Sequence, residues 1–343
     1  MRIALIAPWF RTLGQVHGRA LARQGHDVLL VTTDGHFQDG YGWVPELLLP
    51  ARLKSARWPS AWATARRQLR RWRPEAVLLD QTWDLRAAAL AHGAPRALVV
   101  HDAGPHDKLH VGAAWQRSVI ARQRRTARDV VCFSRAVRDR LDASARVHVV
   151  PLTSELPEDL VLPVAPAGER RDFLVLGRVS PYKNLDTVFA AWAAHVGSSA
   201  YRGDHLVVLG DGHLEAALPP ATRWERRRFD FRVEAAALHR FKASLTLYSE
   251  ASQSGAQITS MQLGVMPIAS SEGGLPEYQP VERPCVAPLD VGAVVVSLAE
   301  LADPARAARE GQAARAHYAS HFSDDAAAAA LSAVCSELGG RRG

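Results

Sequence analysis

Residues 173–186 read Phe-Leu-Val-Leu-Gly-Arg-Val-Ser-Pro-Tyr-Lys-Asn-Leu-Asp. Phe173 to Leu176 is a short apolar run closed by Gly177, which predicts a buried strand. Leu185, Val188, Phe189 and Trp192 then recur at helical spacing. Between strand and helix stand two fixed positive charges, Arg178 and Lys183. Backbone N–H groups and the helix dipole favour an anion at such a place, and two cations on the same loop strengthen the preference. Taken alone, the loop has two readings: solvated surface charge, or a seat for a phosphate or diphosphate.

A second stretch bears on that choice. Residues 264–277 read Gly-Val-Met-Pro-Ile-Ala-Ser-Ser-Glu-Gly-Gly-Leu-Pro-Glu. With Gly-Arg-Val-Ser-Pro-Tyr-Lys-Asn, it resembles the retaining GT-B glycosyltransferases of the family-4 type. The resemblance runs along nearly the whole chain in order. It implies an α/β fold of two doubly wound, Rossmann-like domains facing across a cleft. It also implies that Arg178 and Lys183 hold the diphosphate of a nucleotide-sugar.

Composition is consistent with this and narrows the class. The chain has 343 residues, enough for two ordinary domains, and at 48% hydrophobic and 22% charged it reads as a soluble globular protein. No run of about 18 apolar residues occurs, so no membrane-spanning helix is expected. The opening Met1 to Pro8 is too soon followed by Trp9 and Arg11 to be a signal peptide. Cys132, Cys285 and Cys335 are odd in number and far apart, which indicates neither a disulfide framework nor a zinc site. A cytoplasmic location is expected. Residues 1–165 carry a net charge of +9 and the remainder −2. The basic half must meet something acidic or lie near it.

Taken in order, Arg2 to Ala7 is the first strand, Pro8 to Gly14 a loop, and a helix follows with Val16, Ala20 and Leu21. Gly25-His26-Asp27 closes it before the strand Val28 to Val31, a βαβ start. The resemblance places Gly14 of the first βα loop at the donor diphosphate and acceptor. Residues 51–73 hold eight Lys and Arg and no acid, interleaved with Trp58, Trp62 and Trp72. They read either as a surface helix with one apolar stripe or as a membrane-surface helix. In the second case residues 52–73 make a peripheral contact on the inner membrane face. Ala97 to Val100 is a strand delivering His101, Asp102, Gly104 and His106 at its carboxyl end, where doubly wound folds place chemistry. Family-4 enzymes carry a His at the His101 position that touches the transferred sugar, and that role passes to His101.

Asp129 to Phe133, the Ser134-capped helix and Val147 to Val150 close the first sheet. Pro151 to Arg171, with four prolines, is the linker. The implied domains are 1–163 for the acceptor and 164–323 for the donor, with a 324–343 helix crossing back to the first domain. In the second domain His205 to Leu209 is a strand ending at Gly210-Asp211-Gly212. Phe229 to Val233 reads as a strand where the family's backbone meets the nucleotide base. The resemblance thus assigns Gly210, Arg232, Val233, Gly255 and Thr259 to the donor nucleotide or sugar.

The family pattern breaks at one place. Its two glutamates, separated by seven residues, fall on Ala251 and Thr259 when Gly264 to Glu277 is aligned without gaps. Glu250 is one residue off and takes the first, catalytic role if Ser252 to Gly255 shift. Thr259 offers a ribose fewer and uncharged hydrogen bonds than a carboxylate. Either the donor is held differently, or the protein is a degenerate GT-B homologue serving as a binding or partner subunit. An active, retaining glycosyltransferase is the preferred reading. It needs no cofactor and no metal, because Arg178 and Lys183 neutralise the leaving diphosphate. Its partners are a nucleotide-sugar donor and an acceptor that is a sugar, a lipid-linked glycan or a small molecule. A nucleic-acid binder would also be basic, but no motif of that kind is present.

Overall fold

The computed structural model describes residues 1–36, 41–52, 54–104, 113–141, 144–213 and 217–342. They form two compact units. One comprises Met1–Gly104, His110–Thr153 and Asp324–Gly343, and the other includes Ser154–Ser323. Among the described residues no helix is long and apolar enough to cross a membrane.

The first unit runs β1 (Arg2–Ile6), α1 (Arg11–Arg23), β2 (Asp27–Thr33), β3 (Glu46–Leu49), α2 (Trp58–Trp72) and β4 (Ala76–Asp80). It continues with α3 (Leu85–Ala89), β5 (Arg96–Val100), α4 (Ala114–Thr126), β6 (Asp129–Cys132), α5 (Arg135–Arg138) and β7 (Arg146–Val149). The strands are parallel and ordered β3-β2-β1-β4-β5-β6-β7. Ile3 to Ile6 and Ala76 to Leu79 are buried throughout, as central strands covered on both faces must be. The order reverses between β1 and β4, which makes that the topological switch point of the sheet.

Helix α1 starts at Arg11, earlier than the sequence predicts, so Gly14 lies inside a helix rather than in a loop. A Cβ at Gly14 would come 2.8 Å from the Leu30 side chain, and one at Gly18 would come 2.8 Å from Val44. The two glycines let α1 lie close on the sheet. Helix α2 buries Trp58, Ala65 and Leu69 and exposes Arg66, Arg67, Arg70 and Arg71. Its other two tryptophans are tied to the protein. Trp62 Nε1 donates to the Arg86 carbonyl at 2.8 Å and Trp72 Nε1 to Asp27 at 3.0 Å.

The second unit contains β8 (Phe173–Leu176), α6 (Leu185–Val196), β9 (Leu206–Leu209), β10 (Thr222–Glu225), α7 (Phe231–Leu238) and β11 (Ala243–Thr246). Then come α8 (Gly255–Gln262), β12 (Met266–Ala269), α9 (Leu275–Tyr278), α10 (Val291–Leu301) and α11 (Pro304–His321). Its sheet is also parallel, ordered β10-β9-β8-β11-β12, with the switch point between β8 and β11. Phe173, Trp192, Leu206, Leu245 and Leu298 fill its core. Arg170 is buried beneath it and donates to the carbonyls of Ala165, Phe241 and Gly264 at 3.0, 2.7 and 2.7 Å. Burial pushes that guanidinium down to about 10.

One predicted strand is replaced. Phe229 to Val233 is not extended: the Asp230 carboxylate accepts from Arg232 N at 2.9 Å and caps α7. The edge strand is β10, a few residues earlier.

The last helix, α12 (Asp324–Gly339), belongs to the first unit. Arg23 bonds Asp324 at 2.7 Å and Asp325 at 2.8 Å, and His26 lies 2.7 Å from the Ser332 hydroxyl. Arg341 pairs with Asp129 at 2.9 Å. Between these polar ends α12 buries Ala327, Ala328, Leu331, Val334, Cys335 and Leu338. Leu331→Ala should therefore lower folding stability by about 2–5 kcal/mol in denaturant titration, the range for truncating a buried leucine. A change below about 0.5 kcal/mol would mean that α12 only lies on the surface.

Candidate active site

Both units gather polar groups at the carboxyl edge of their switch point. In the second unit β8 ends at Gly177 and Arg178, and the chain passes through a 3-10 turn, Pro181–Lys183, into α6. Arg178 is exposed. Lys183 is only 4% exposed, and its ammonium donates to the Leu176 carbonyl at 2.6 Å and to the Tyr248 hydroxyl at 2.9 Å. It also lies 4.7 Å from the centre of the Tyr248 ring. Among the described residues no carboxylate pairs with it. Burial pushes Lys183 down to about 8; Tyr182 opposes this slightly and the like charge of Arg178 adds to it.

The surrounding loops are held at very short range. Gly210 has φ +155°, and a Cβ there would lie 2.2 Å from the Gly177 carbonyl oxygen; Gly212 meets Val179 in the same way. Val179 N donates to the Asp211 carbonyl at 2.8 Å. Gly210 is thus the residue on which the Gly177–Arg178 backbone rests. On the other side, Ser249 N donates to the Tyr182 carbonyl at 2.9 Å, which fixes the start of the loop carrying Glu250. Glu250 is exposed on that loop, and Ala251 beside it is buried. Gly273 accommodates the Ala251 carbonyl, which a Cβ would strike.

Tyr248 joins these parts. Its hydroxyl accepts from Lys183 and from Ser254 Oγ at 3.3 Å, and burial pushes its pKa up to about 12. Ser254 in turn accepts from Gln257 N at 3.1 Å and caps α8. The structure therefore brings Lys183, Glu250, Gly255 and Gly210 around one set of loops. Gly255 opens α8, and a Cβ there would meet nothing within 4 Å.

Other expected residues lie elsewhere. Thr259 is 2% exposed on α8, and its hydroxyl is 2.8 Å from that of Ser154. A carboxylate at 259 would displace Ser154 and bury a charge. Arg232 is occupied by its own cap, with Nε 3.0 Å from Asp230 Oδ1, and Val233 is 74% exposed on α7 rather than on a strand.

In the first unit His101 follows β5, with Nε2 3.6 Å from Asp80 Oδ1 at the end of β4. Phe10 stacks on its ring at 3.9 Å and 18°, and Phe133 lies 4.9 Å away. A cavity of about 30 Å³, with room for about two waters, is lined by His101, Asp80, His17, Phe10, Gly14 and Leu331 among others. Two buried atoms at it, His17 Nε2 and Asp80 Oδ2, have no hydrogen-bond partner among the described residues. Burial, with the nearby His101, pushes His17 down to about 3, so it is neutral at physiological pH. Gly14 thus lines the His101 cavity and packs α1. It belongs to the first unit, whereas Arg178 and Lys183 belong to the second. Arg124 of α4 reaches the Gln81 side chain and the carbonyls of Asp102 and Ala103, fixing the loop after His101. His106 lies outside the described residues. Asp80, Arg124 and Tyr248 were not legible as site residues. Asp80 and Tyr248 carried one signal, their place at the carboxyl end of an apolar run.

Comparison with known proteins fits this geometry. Residues 17–152 match the model of the family described as Glycosyltransferase Family 4. A sucrose-phosphate synthase from Thermosynechococcus elongatus superposes with a TM-score of 0.74 at 17% identity, covering 98% of this chain and 99% of that one. The whole chain has the GT-B fold. Anabaena HepE, solved in complex with UDP and glucose, superposes with a TM-score of 0.67 at 15% identity, covering 98% and 100% of the two chains. An Escherichia coli structure described as trehalose-6-phosphate bound with UDP-2-fluoro glucose gives a TM-score of 0.66 at 10% identity, covering 99% of each chain. No curated protein matches by sequence. Among the described residues no group of three His, Cys, Asp or Glu is placed to hold a metal ion.

The two glycines predict opposite outcomes. Gly210→Ala forces a side chain into a left-handed conformation and against a carbonyl, and should lower stability by about 1–3 kcal/mol in denaturant titration. Gly255→Ala, in open space at the first turn of α8, should change it by less than about 0.5 kcal/mol. Equal effects would remove the close approach of the two loops as the cause.

Proposed function

We propose that the protein transfers a sugar from a nucleoside-diphosphate sugar to an acceptor hydroxyl with retention of configuration. The observation that carries this is the buried Lys183 ammonium beside the exposed Arg178, at the switch point of the second sheet. A cation held by neutral partners is a receptor for an anion. As the anomeric bond breaks, charge grows on the β-phosphate, and two cations on one loop neutralise it. They supply this neutralisation without a metal, so turnover should survive a chelator. His101 contacts the transferred sugar, its ring held between Phe10 and Phe133. Glu250 is the acid available near the sugar, and Gly255 leaves room for the donor to approach backbone.

The outward arginines of α2 give the protein a peripheral contact with an anionic surface on the cytoplasmic side. Because Trp58 is buried and Trp62 and Trp72 are hydrogen-bonded within the protein, charge alone would hold it there. Co-sedimentation with phosphatidylglycerol liposomes at low salt, lost as salt rises, is the expected result. No sedimentation at low salt would make α2 an ordinary solvated helix.

The donor site is tested by calorimetry with uridine, guanosine and adenosine diphosphates and their sugars. Arg178→Ala or Lys183→Ala should weaken diphosphate binding by about 1.5–3 kcal/mol. In the free protein Lys183 loses its proton above about pH 8, so affinity should fall as pH rises through 8. Near that pH, binding should take up a proton, read from heats in buffers of different ionisation enthalpy. His101→Ala should cut turnover and leave diphosphate affinity nearly intact. If no diphosphate binds, the chain is a degenerate GT-B subunit, the reading favoured by Ala251 and the buried Thr259.

A further inference from the structure

Tryptophans in this chain differ in what their indole N–H groups do. Those of Trp62, Trp72, Trp192 and Trp224 donate to protein acceptors. Those of Trp9, Trp83 and Trp115 have no acceptor among the described residues. Trp9 is 41% exposed and Trp115 54%. The three rings pack on each other instead of into the core. Trp9 and Trp83 have centroids 5.4 Å apart at 36°, and Trp83 meets Trp115 edge-on at 5.8 Å and 85°.

The cluster is assembled from three distant parts of the first unit. Trp9 follows β1, Trp83 follows β4 and Trp115 opens α4. Since β1 and β4 flank the switch point, the cluster stands where an open parallel sheet binds its ligand. The residue after Trp9 is Phe10, whose ring stacks on His101. Helix α4 has no buried residue, so little apolar packing fixes Trp115. Arg124, at the far end of α4, ties the helix to the carbonyls of Asp102 and Ala103, next to His101.

We infer that Trp9, Trp83 and Trp115 form the acceptor platform of the first unit, and that the acceptor it takes is a saccharide. The assignment of an acceptor rests on the glycosyltransferase reading above. The ligand class rests on the indoles themselves. A pyranose has a face of C–H groups that covers a flat aromatic ring and a rim of hydroxyls that accept from N–H. An acyl chain would cover the same rings but leave three N–H groups without partners, at a desolvation cost. Exposed faces together with open donors match the sugar.

The test uses the full chain and the methyl glycosides of glucose, galactose, mannose and N-acetylglucosamine, with maltose as a disaccharide. At least one should quench tryptophan fluorescence saturably in the millimolar range and accelerate release of nucleoside diphosphate from the donor. Trp9→Ala and Trp115→Ala should each raise the KM for that saccharide ten-fold or more, while donor affinity changes less than two-fold. Trp9→Phe, which keeps a ring but lacks the N–H, should fall between. The platform is overturned if no saccharide perturbs the fluorescence, or if the alanine variants keep the wild-type KM. It is also overturned if those variants lose only binding to phosphatidylcholine–phosphatidylglycerol vesicles, which would assign the cluster to a lipid surface. A protein that binds saccharide at these tryptophans but binds no nucleotide-sugar would keep the platform and lose the transferase reading.

Discussion

An ammonium buried without a carboxylate is the constraint around which the second unit is arranged. Lys183 is held by a carbonyl, a phenol hydroxyl and an aromatic face, all neutral. Desolvation would otherwise drive the charge off, and it does lower the pKa to about 8. The neighbours follow from this. Gly177 carries no side chain, because a Cβ there would come within 3.1 Å of Nζ. Tyr248 must follow β11 closely so that its hydroxyl reaches the ammonium, and Ser254 must reach the same hydroxyl while capping α8. Any anion that enters restores the charge partner the fold withholds.

The first unit uses a different device. His101 is gripped by rings rather than by charges, with Phe10 stacked on it and Phe133 beside it. The Asp80 carboxylate stands at 3.6 Å, beyond a hydrogen bond. The arrangement fixes the plane of the imidazole. Helix α12 closes the far wall of the cavity beneath it through Leu331, so the end of the chain contributes to the environment of a residue near its first third.

Much of this was legible because apolar runs, glycines and caps act locally. The order of strands, the Gly-Arg…Lys loop and the helix after Asp324 are written in short stretches. Other features escaped for physical reasons. β3 is an edge strand of four residues, half of them only partly buried, so its pattern is weak. Phe229 to Val233 is apolar enough to read as a strand, but the Asp230 side chain captures the backbone first. Thr259 falls at a carboxylate position by alignment, yet α8 turns it toward Ser154.

The sequence by itself determined the fold class, two parallel sheets with their βαβ order, and the two cations of the phosphate loop, since each depends on residues close along the chain. Only the tertiary structure decided which cation is buried, that Tyr248 joins Lys183 to α8, and that Asp80 stands behind His101. It also decided that tryptophans at positions 9, 83 and 115 meet. Such meetings depend on how parallel strands return to the same edge, and a crossover separates the partners by tens of residues, so no local pattern records them.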